Sequence, residues 1–174
     1  MKRFIPLAII ALLTAVNLSA QTYETSPDPR TGGKTFKGIL SRQILESDTS
    51  FTRLWYTANF KAYAPPAEAV SALQQHKDTI RLVAFMGTWC EDSQFIIPKF
   101  FSLLDAAGVS KDRVTVLGTD RDKKTLGNLS EALNVTLVPT IIVLQNGKEL
   151  GRVVEYGKNG QWDKELGQIV ATAK

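Results

Sequence analysis

The chain has 174 residues, of which 44% are hydrophobic and 22% charged, and these values are typical of one folded domain, not of a disordered or fibrous chain. Its 21 Lys and Arg against 17 Asp and Glu give a formal charge of +4 without a basic cluster, which argues against a nucleic-acid partner. A single cysteine and a single histidine exclude an internal disulfide and a Cys- or His-rich metal centre, and we expect no metal and no cofactor.

The first twenty residues have the pattern of a secretory signal peptide. Lys2 and Arg3 precede an apolar stretch that runs to Val16, and the small residues Ser19 and Ala20 close the segment. The stretch is shorter than the roughly 20 residues that a membrane-spanning helix needs. We therefore predict cleavage after residues 1–20 and a secreted or periplasmic mature protein without a membrane span.

Two regions are predicted before the main domain. Residues 21–35 contain Pro and Gly among polar residues without apolar periodicity, which predicts a flexible leader. Residues 36–65 are predicted to be an extension packed on the domain, with a strand over residues 36–45 followed by a helix that starts at Asp48. That helix would place three apolar side chains on one face: Phe51, Leu54 and Trp55.

The main domain is predicted over residues 66–174. Pro66 opens a helix whose inward-facing residues would be Val70, Leu73 and Gln74. The nearly continuous apolar run 79–86 predicts a strand covered on both faces, and a helix follows from the Gly87–Cys90 loop to Ala107.

The second half of the domain also consists of predicted strands and helices in alternating order. A second buried strand is predicted over Val114–Leu117, and leucines at 126, 129 and 133 have helical spacing. Asn146-Gly147 predicts a hairpin between strands 136–144 and 149–156, and a closing helix begins at Trp162. Strand, helix, strand, helix, hairpin and helix in this order predict an α/β fold with a mixed sheet and helices on both of its faces.

Cys90 lies where a predicted buried strand gives way to a helix. The free N–H groups of a helix start carry partial positive charge, which stabilises a thiolate and makes it a nucleophile near neutral pH. We expect Ser93, one turn on, to donate a hydrogen bond to the sulfur, whereas the carboxylates of Glu91 and Asp92 oppose a second negative charge. The alternative is that Cys90 is a small buried hydrophobic residue without chemistry.

The stretch from Val83 to Ser93, with its Trp-Cys-Glu-Asp-Ser sequence, resembles the active-site strand and loop of the thioredoxin-like superfamily. Further matches follow in the same order: Pro98, Val138-Pro139-Thr140, the Asn146-Gly147 hairpin and Gly157. The resemblance covers residues 66–173 and is closest to a secreted bacterial branch with a CxxS motif. It implies a three-layer α/β/α fold with an N-terminal extension, Cys90 and Ser93 as catalytic residues, and a cis-proline loop that faces the cysteine.

Two departures from the family pattern affect the expected chemistry. Ser93 stands where the family has its second cysteine, and Ala84 stands where it has a buried acid. Cys90 therefore lacks an internal thiol to resolve a mixed disulfide, and an external thiol would have to complete exchange.

The resemblance also predicts the surroundings of the thiol. Trp89 would cover the site, and substrate would dock against Val138, Pro139 and Thr140. Asp120 and Asp122 end a strand on the side where such sheets place ligands. Either one of them holds the Trp89 indole N–H or both are solvated loop charges.

Two functions remain open from the sequence. The first is an extracytoplasmic monothiol oxidoreductase or isomerase that exchanges disulfides of proteins or low-molecular-weight thiols through Cys90. The second is a redox-inactive module that binds proteins or peptides in the same groove. The chain could be a monomer or a Cys90-linked dimer.

Overall fold

A computed structural model describes residues 22–174, so the predicted signal peptide lies outside the described residues. The main elements, in chain order, are β1 Tyr23–Pro27, β2 Lys34–Leu40, α1 Arg42–Ser47, α2 Thr49–Phe51, α3 Thr57–Lys61, α4 Ala67–His76, β3 Ile80–Met86, α5 Glu91–Ala107, β4 Val114–Gly118, α6 Leu129–Ala132, β5 Thr140–Gln145, β6 Lys148–Val154 and α7 Trp162–Val170. A π-helical turn, Thr52–Tyr56, joins α2 to α3 in one continuous rod, and short 3₁₀ turns precede β4 and α6. Within the described range, no helix is both long enough and apolar enough to cross a membrane.

The six strands form one mixed sheet in the order β1-β2-β4-β3-β5-β6. β3 and β4 are parallel and are connected by α5, whereas all other neighbouring strands are antiparallel. This arrangement places β3 at the centre, so that the loop after its last residue, Met86, lies at the carboxyl end of the sheet. The predicted three-layer α/β/α fold is confirmed.

Successive side chains of β3 point to opposite faces of the sheet, so the strand contributes to the hydrophobic core on both faces. Leu82, Ala84 and Met86 pack in the larger cluster with the helices of the extension, α4, α5 and α7. Phe85 packs in the smaller cluster on the other face, under the chain that follows α6. Both faces of the strand are therefore buried, as its continuous apolar sequence predicted.

The predicted flexible leader over residues 21–35 is wrong for most of its length. Residues 23–27 pair with residues 34–38 in an antiparallel hairpin, so the leader adds an edge strand to the sheet. The prediction failed because apolar and polar residues do not alternate along β1. Four of its five residues are exposed, and the strand is held by backbone hydrogen bonds to β2.

The extension differs in detail from its prediction. The strand ends at Leu40 and not at Leu45, because Ser41 caps a new helix by accepting a hydrogen bond from the Ile44 N–H. In the following rod Phe51 and Trp55 are buried as predicted, but Leu54 is 78% exposed.

Three further predictions need correction in the main domain. In α4, Leu73 is buried but Gln74 is exposed. The leucines at 126, 129 and 133 do not share one helix, since Gly127 and Asn128 adopt left-handed conformations within the short 3₁₀ turn that precedes the four-residue α6. The hairpin strands are shorter than predicted, Thr140–Gln145 and Lys148–Val154, although the Asn146-Gly147 turn between them is confirmed by positive φ at both residues.

Candidate functional site: a lone thiol against a proline loop

Cys90 is the N-cap of α5 and is half-buried. Its Sγ lies 3.2 Å from the carbonyl oxygen of Val138, to which the thiol donates a hydrogen bond. The Val138–Pro139 peptide bond is cis. The structure thus brings together the helix start and the proline loop, which are 48 residues apart in sequence.

The four residues before α5 are fixed by contacts from the strands. The Thr88 hydroxyl donates to the Lys34 carbonyl (2.7 Å) and accepts from the Phe36 N–H (3.3 Å), so β2 of the extension holds this loop. A Cβ at Gly87 would lie 2.6 Å from the Trp89 indole, so this close packing requires glycine. The path of the loop that presents Cys90 is therefore set by neighbouring backbone.

Ser93 does not act as predicted. Its side chain is fully buried, and its Oγ accepts a hydrogen bond from the Gly87 N–H at 3.2 Å. Among the described residues it donates none to Cys90 Sγ. The hydroxyl thus satisfies a buried backbone donor in the active loop, a structural role that sequence spacing could not separate from a catalytic one.

The indole of Trp89, the residue before Cys90, is held by a group that the sequence did not identify. Its Nε1–H donates to the Thr119 carbonyl at 2.8 Å, so the expectation that Asp120 or Asp122 would bind the indole is wrong. Asp120 instead accepts from the N–H groups of Asp122 and Lys124 and from Lys37 Nζ. Asp122 is exposed, and its side chain has no ion pair among residues 22–174.

The charge at Asp120 follows from these contacts. Burial acts to raise its pKa, but the Lys124 N–H and the Lys37 ammonium outweigh burial and hold the pKa below its ordinary value. Asp120 is therefore a carboxylate that shapes the turn after β4 and ties it to β2.

The predicted docking residues present their backbone more than their side chains to the surroundings of Cys90. Val138, Pro139 and Thr140 are buried, and the Thr140 hydroxyl donates to the Leu137 carbonyl at 2.8 Å. The group that faces Cys90 is the Val138 carbonyl. Exposed apolar side chains come from three neighbouring positions that the sequence analysis did not identify as site residues: Phe95, Leu137 and Tyr156.

Acidic groups border the other side of the thiol. Glu91 is exposed and Asp92 half-buried at the start of α5. Burial and the nearby Asp92 carboxylate raise the pKa of Tyr156, whose hydroxyl also experiences the charge of Cys90. A cavity of about 630 Å³ lies elsewhere, between α1 and the C-terminal half of α5, and none of these site residues lines it.

Comparison with known proteins identifies relatives of this arrangement. The family model described as Thioredoxin matches residues 66–168. A thioredoxin of Echinococcus granulosus is 34% identical over 94 residues, which are 54% of this chain and 80% of that protein. An H-type thioredoxin of Picea mariana is 30% identical over 105 residues, 59% of this chain and 78% of that protein. A Pseudomonas aeruginosa protein of unknown function shares the fold, with a TM-score of 0.52 at 15% identity over 74% of this chain and 87% of that one.

Proposed function

The chain belongs to the thioredoxin family, and from this premise we propose that it carries out thiol–disulfide exchange through Cys90, outside the cytoplasm, with an external thiol that resolves the mixed disulfide. The observation that carries the proposal is the placement of Cys90 Sγ at the start of α5, 3.2 Å from the Val138 carbonyl next to the cis-proline. The apolar segment before residue 20 supports an extracytoplasmic location.

Thiol–disulfide exchange can be completed with a single cysteine in the protein when an external thiol takes part. The Cys90 thiolate attacks one sulfur of a substrate disulfide, forms a mixed disulfide and releases the other substrate sulfur as a thiolate. A second thiol, from a low-molecular-weight compound or a protein, then attacks the substrate sulfur of the mixed disulfide and releases Cys90. The net reaction exchanges one thiol partner for another, and Cys90 returns unchanged.

The Val138 carbonyl couples ionisation of the thiol to substrate docking. In the resting protein this carbonyl accepts the Cys90 S–H. When the thiol ionises it loses that donor, and the carbonyl becomes free to accept a backbone N–H from an extended substrate segment. The exposed side chains of Leu137, Phe95 and Tyr156 supply apolar surface beside that segment, which favours peptide and protein disulfides.

The proposal is tested by trapping the intermediate. The chain from residue 21 onward is treated with an aromatic disulfide that releases a coloured thiol, and the protein mass is followed. We expect one equivalent of mixed disulfide to accumulate and to disappear when cysteine or another monothiol is added, because no internal thiol competes. Cys90→Ser is expected to abolish both steps, and a wild-type protein that forms no adduct would exclude the proposal.

The second candidate is a peptide-binding module without turnover, and the full burial of Ser93 in a structural hydrogen bond favours it. In this case an extended peptide adds to the Val138 backbone while the thiol stays protonated. Binding of such a peptide by Cys90→Ser with the affinity of the wild type, together with no mixed disulfide in the wild type, would favour the module over the exchange activity.

A further inference from the structure

Asp28, in the turn between β1 and β2, is an acid with an unusually complete set of partners. The residue is 2% exposed. Its Oδ1 accepts hydrogen bonds from the Arg30 N–H (3.1 Å), the Thr31 N–H (2.8 Å) and the Thr31 hydroxyl (2.9 Å). The remaining partner is Arg121, 93 residues away, which binds both carboxylate oxygens, through Nε at 2.6 Å and Nη2 at 2.9 Å.

This geometry fixes the position of the Arg121 guanidinium. A bidentate Arg–carboxylate pair has a defined plane and direction, and the buried turn leaves Asp28 no alternative orientation. The Arg121 hydrogen bond, together with those from Thr31 and Arg30, holds the pKa of Asp28 far below its usual range, so the carboxylate stays charged at all physiological pH values. The N-terminal hairpin formed by β1 and β2 thereby holds a cation in place at the turn after β4.

The guanidinium is held against the indole of Trp89. Arg121 Cζ lies 4.9 Å from the centre of the Trp89 ring, within cation–π distance, and Lys123 Nζ lies 5.8 Å from the same ring. Trp89 directly precedes Cys90 in the loop. The contacts therefore run from Asp28 through Arg121 to Trp89, whose backbone is bonded directly to that of Cys90.

We propose that Asp28 and Arg121 are positioning residues for the chemistry of Cys90: the buried carboxylate aims the guanidinium, and the guanidinium orients Trp89 and supplies the positive charge that favours the thiolate. This inference rests on the proposed exchange function. It gives the N-terminal hairpin, which lies outside the residues that match the family, a role at the active site.

The charges around Cys90 explain why such a cation matters. Glu91 and Asp92 from α5 disfavour the thiolate, and Tyr156 after β6 is a neutral phenol near neutral pH.

The cations near this site are Arg121 and Lys123 from the turn after β4, both of which lie within cation–π distance of the Trp89 ring. Asp28 raises the pKa of Arg121, and the Cys90 charge raises it further.

The test compares the alkylation of Cys90 by iodoacetamide, as a function of pH, in the wild type and four variants. Arg121→Gln removes the charge, Arg121→Lys keeps it without the bidentate geometry, and Asp28→Asn keeps the shape of the turn without its charge. Glu149→Gln is the matched control, since Glu149 and Arg152 form a bidentate pair on β6.

We expect Arg121→Gln to react about 3- to 10-fold more slowly at pH 7 and to need a higher pH for half-maximal rate, which corresponds to the loss of one partly screened charge. Arg121→Lys should recover most of the rate, Asp28→Asn should lie between, and Glu149→Gln should match the wild type. A merely structural role would change Trp fluorescence and stability without moving the pH profile.

Coincident pH profiles for wild type and Arg121→Gln would overturn the proposal, as would an equal shift in Glu149→Gln. If Arg121→Gln does not fold, Asp28→Asn decides, and an unshifted profile in that variant would overturn the proposal. Alkylation needs no disulfide substrate, so the result is independent of mixed-disulfide formation. A protein that forms no mixed disulfide yet shows the Arg121 shift would disprove the exchange function alone.

Discussion

Ser93, one helical turn after Cys90, uses its side chain for a structural task. A thiol there would resolve a mixed disulfide, whereas the serine hydroxyl accepts the Gly87 N–H in a site without solvent. The hydrogen bond links α5 to the end of β3 and so stabilises the loop that presents Cys90. Ser93 therefore has a defined structural function.

Replacing Ser93 with Ala should measure that function. The change leaves the buried Gly87 N–H without its partner, and we expect it to lower the free energy of unfolding by about 1–3 kcal/mol. Urea denaturation measures this loss. Ser102→Ala is the control, because Ser102 is half-buried on the same helix and makes no side-chain hydrogen bond within residues 22–174. Its effect should stay within about 0.5 kcal/mol, and equal losses in both variants would disprove the role of Ser93.

At the candidate site, the sequence indicated the segments that the structure brings together around Cys90, but not the contacts between residues that are distant in sequence. Cys90 and the Val138-Pro139 loop could be identified because their motifs are short and occur in a fixed order. The contact between Asp28 and Arg121 could not, since nothing in either local sequence indicates a partner 93 residues away. Arg121 lies between the two aspartates that were considered, and its only sequence signal was its place in the turn after a buried strand.

At the scale of elements, agreement between sequence and structure follows the strength of the local signal. β3 and the Asn146-Gly147 hairpin were predicted because a continuous apolar run and a turn dipeptide each specify their backbone. β1 was missed because tertiary pairing alone makes it a strand. Leu54 was placed on the wrong face because the helix widens into a π-helical turn over Thr52–Tyr56, which changes the angular spacing on which the prediction relied.

The π-helical turn gives a matched test of how the extension packs. Trp55 is 7% exposed and contacts the Phe51 ring in the main core, whereas its neighbour Leu54 is 78% exposed. We expect Trp55→Ala to destabilise the protein by about 3–5 kcal/mol, and Leu54→Ala to change stability by no more than about 0.5 kcal/mol. Thermal or urea unfolding distinguishes them. Similar losses of unfolding free energy in the two variants would contradict this packing of the extension, in which Trp55 is buried and Leu54 is exposed.

At the scale of the molecule, the extension and the thioredoxin domain share one hydrophobic core. Phe36, Leu45 and Trp55 belong to the same hydrophobic cluster as the inner face of α5. Arg42 on α1 binds both oxygens of Asp105 on α5, at 2.6 and 2.9 Å. The extension therefore covers one side of the domain, and β2 also contacts the loop before Cys90 through Thr88.

Two ion pairs that cross between the extension and the turn after β4 make this linkage sensitive to acid. Asp28 binds Arg121, and Lys37 binds Asp120; in the folded protein the pKa of each carboxyl lies below its ordinary value. A carboxyl with a depressed folded pKa contributes stability that is complete above the unfolded pKa, near 3.9, and is lost as pH falls through the folded pKa. The contact between extension and turn should therefore weaken only in strong acid.

We expect the urea midpoint of the wild type to fall more between pH 5 and pH 2 than that of Asp28→Asn, which lacks the titrating group. The variant should be less stable at pH 7 and approach the wild type as pH falls below about 3.9, because protonation of Asp28 in the unfolded chain then removes much of the stability that the folded carboxylate contributes. Asp78→Asn, at an exposed carboxyl without an ion pair among the described residues, serves as the control and should parallel the wild type. A constant difference between wild type and Asp28→Asn across this pH range would show that the charge of Asp28 does not join the extension to the active-site turn.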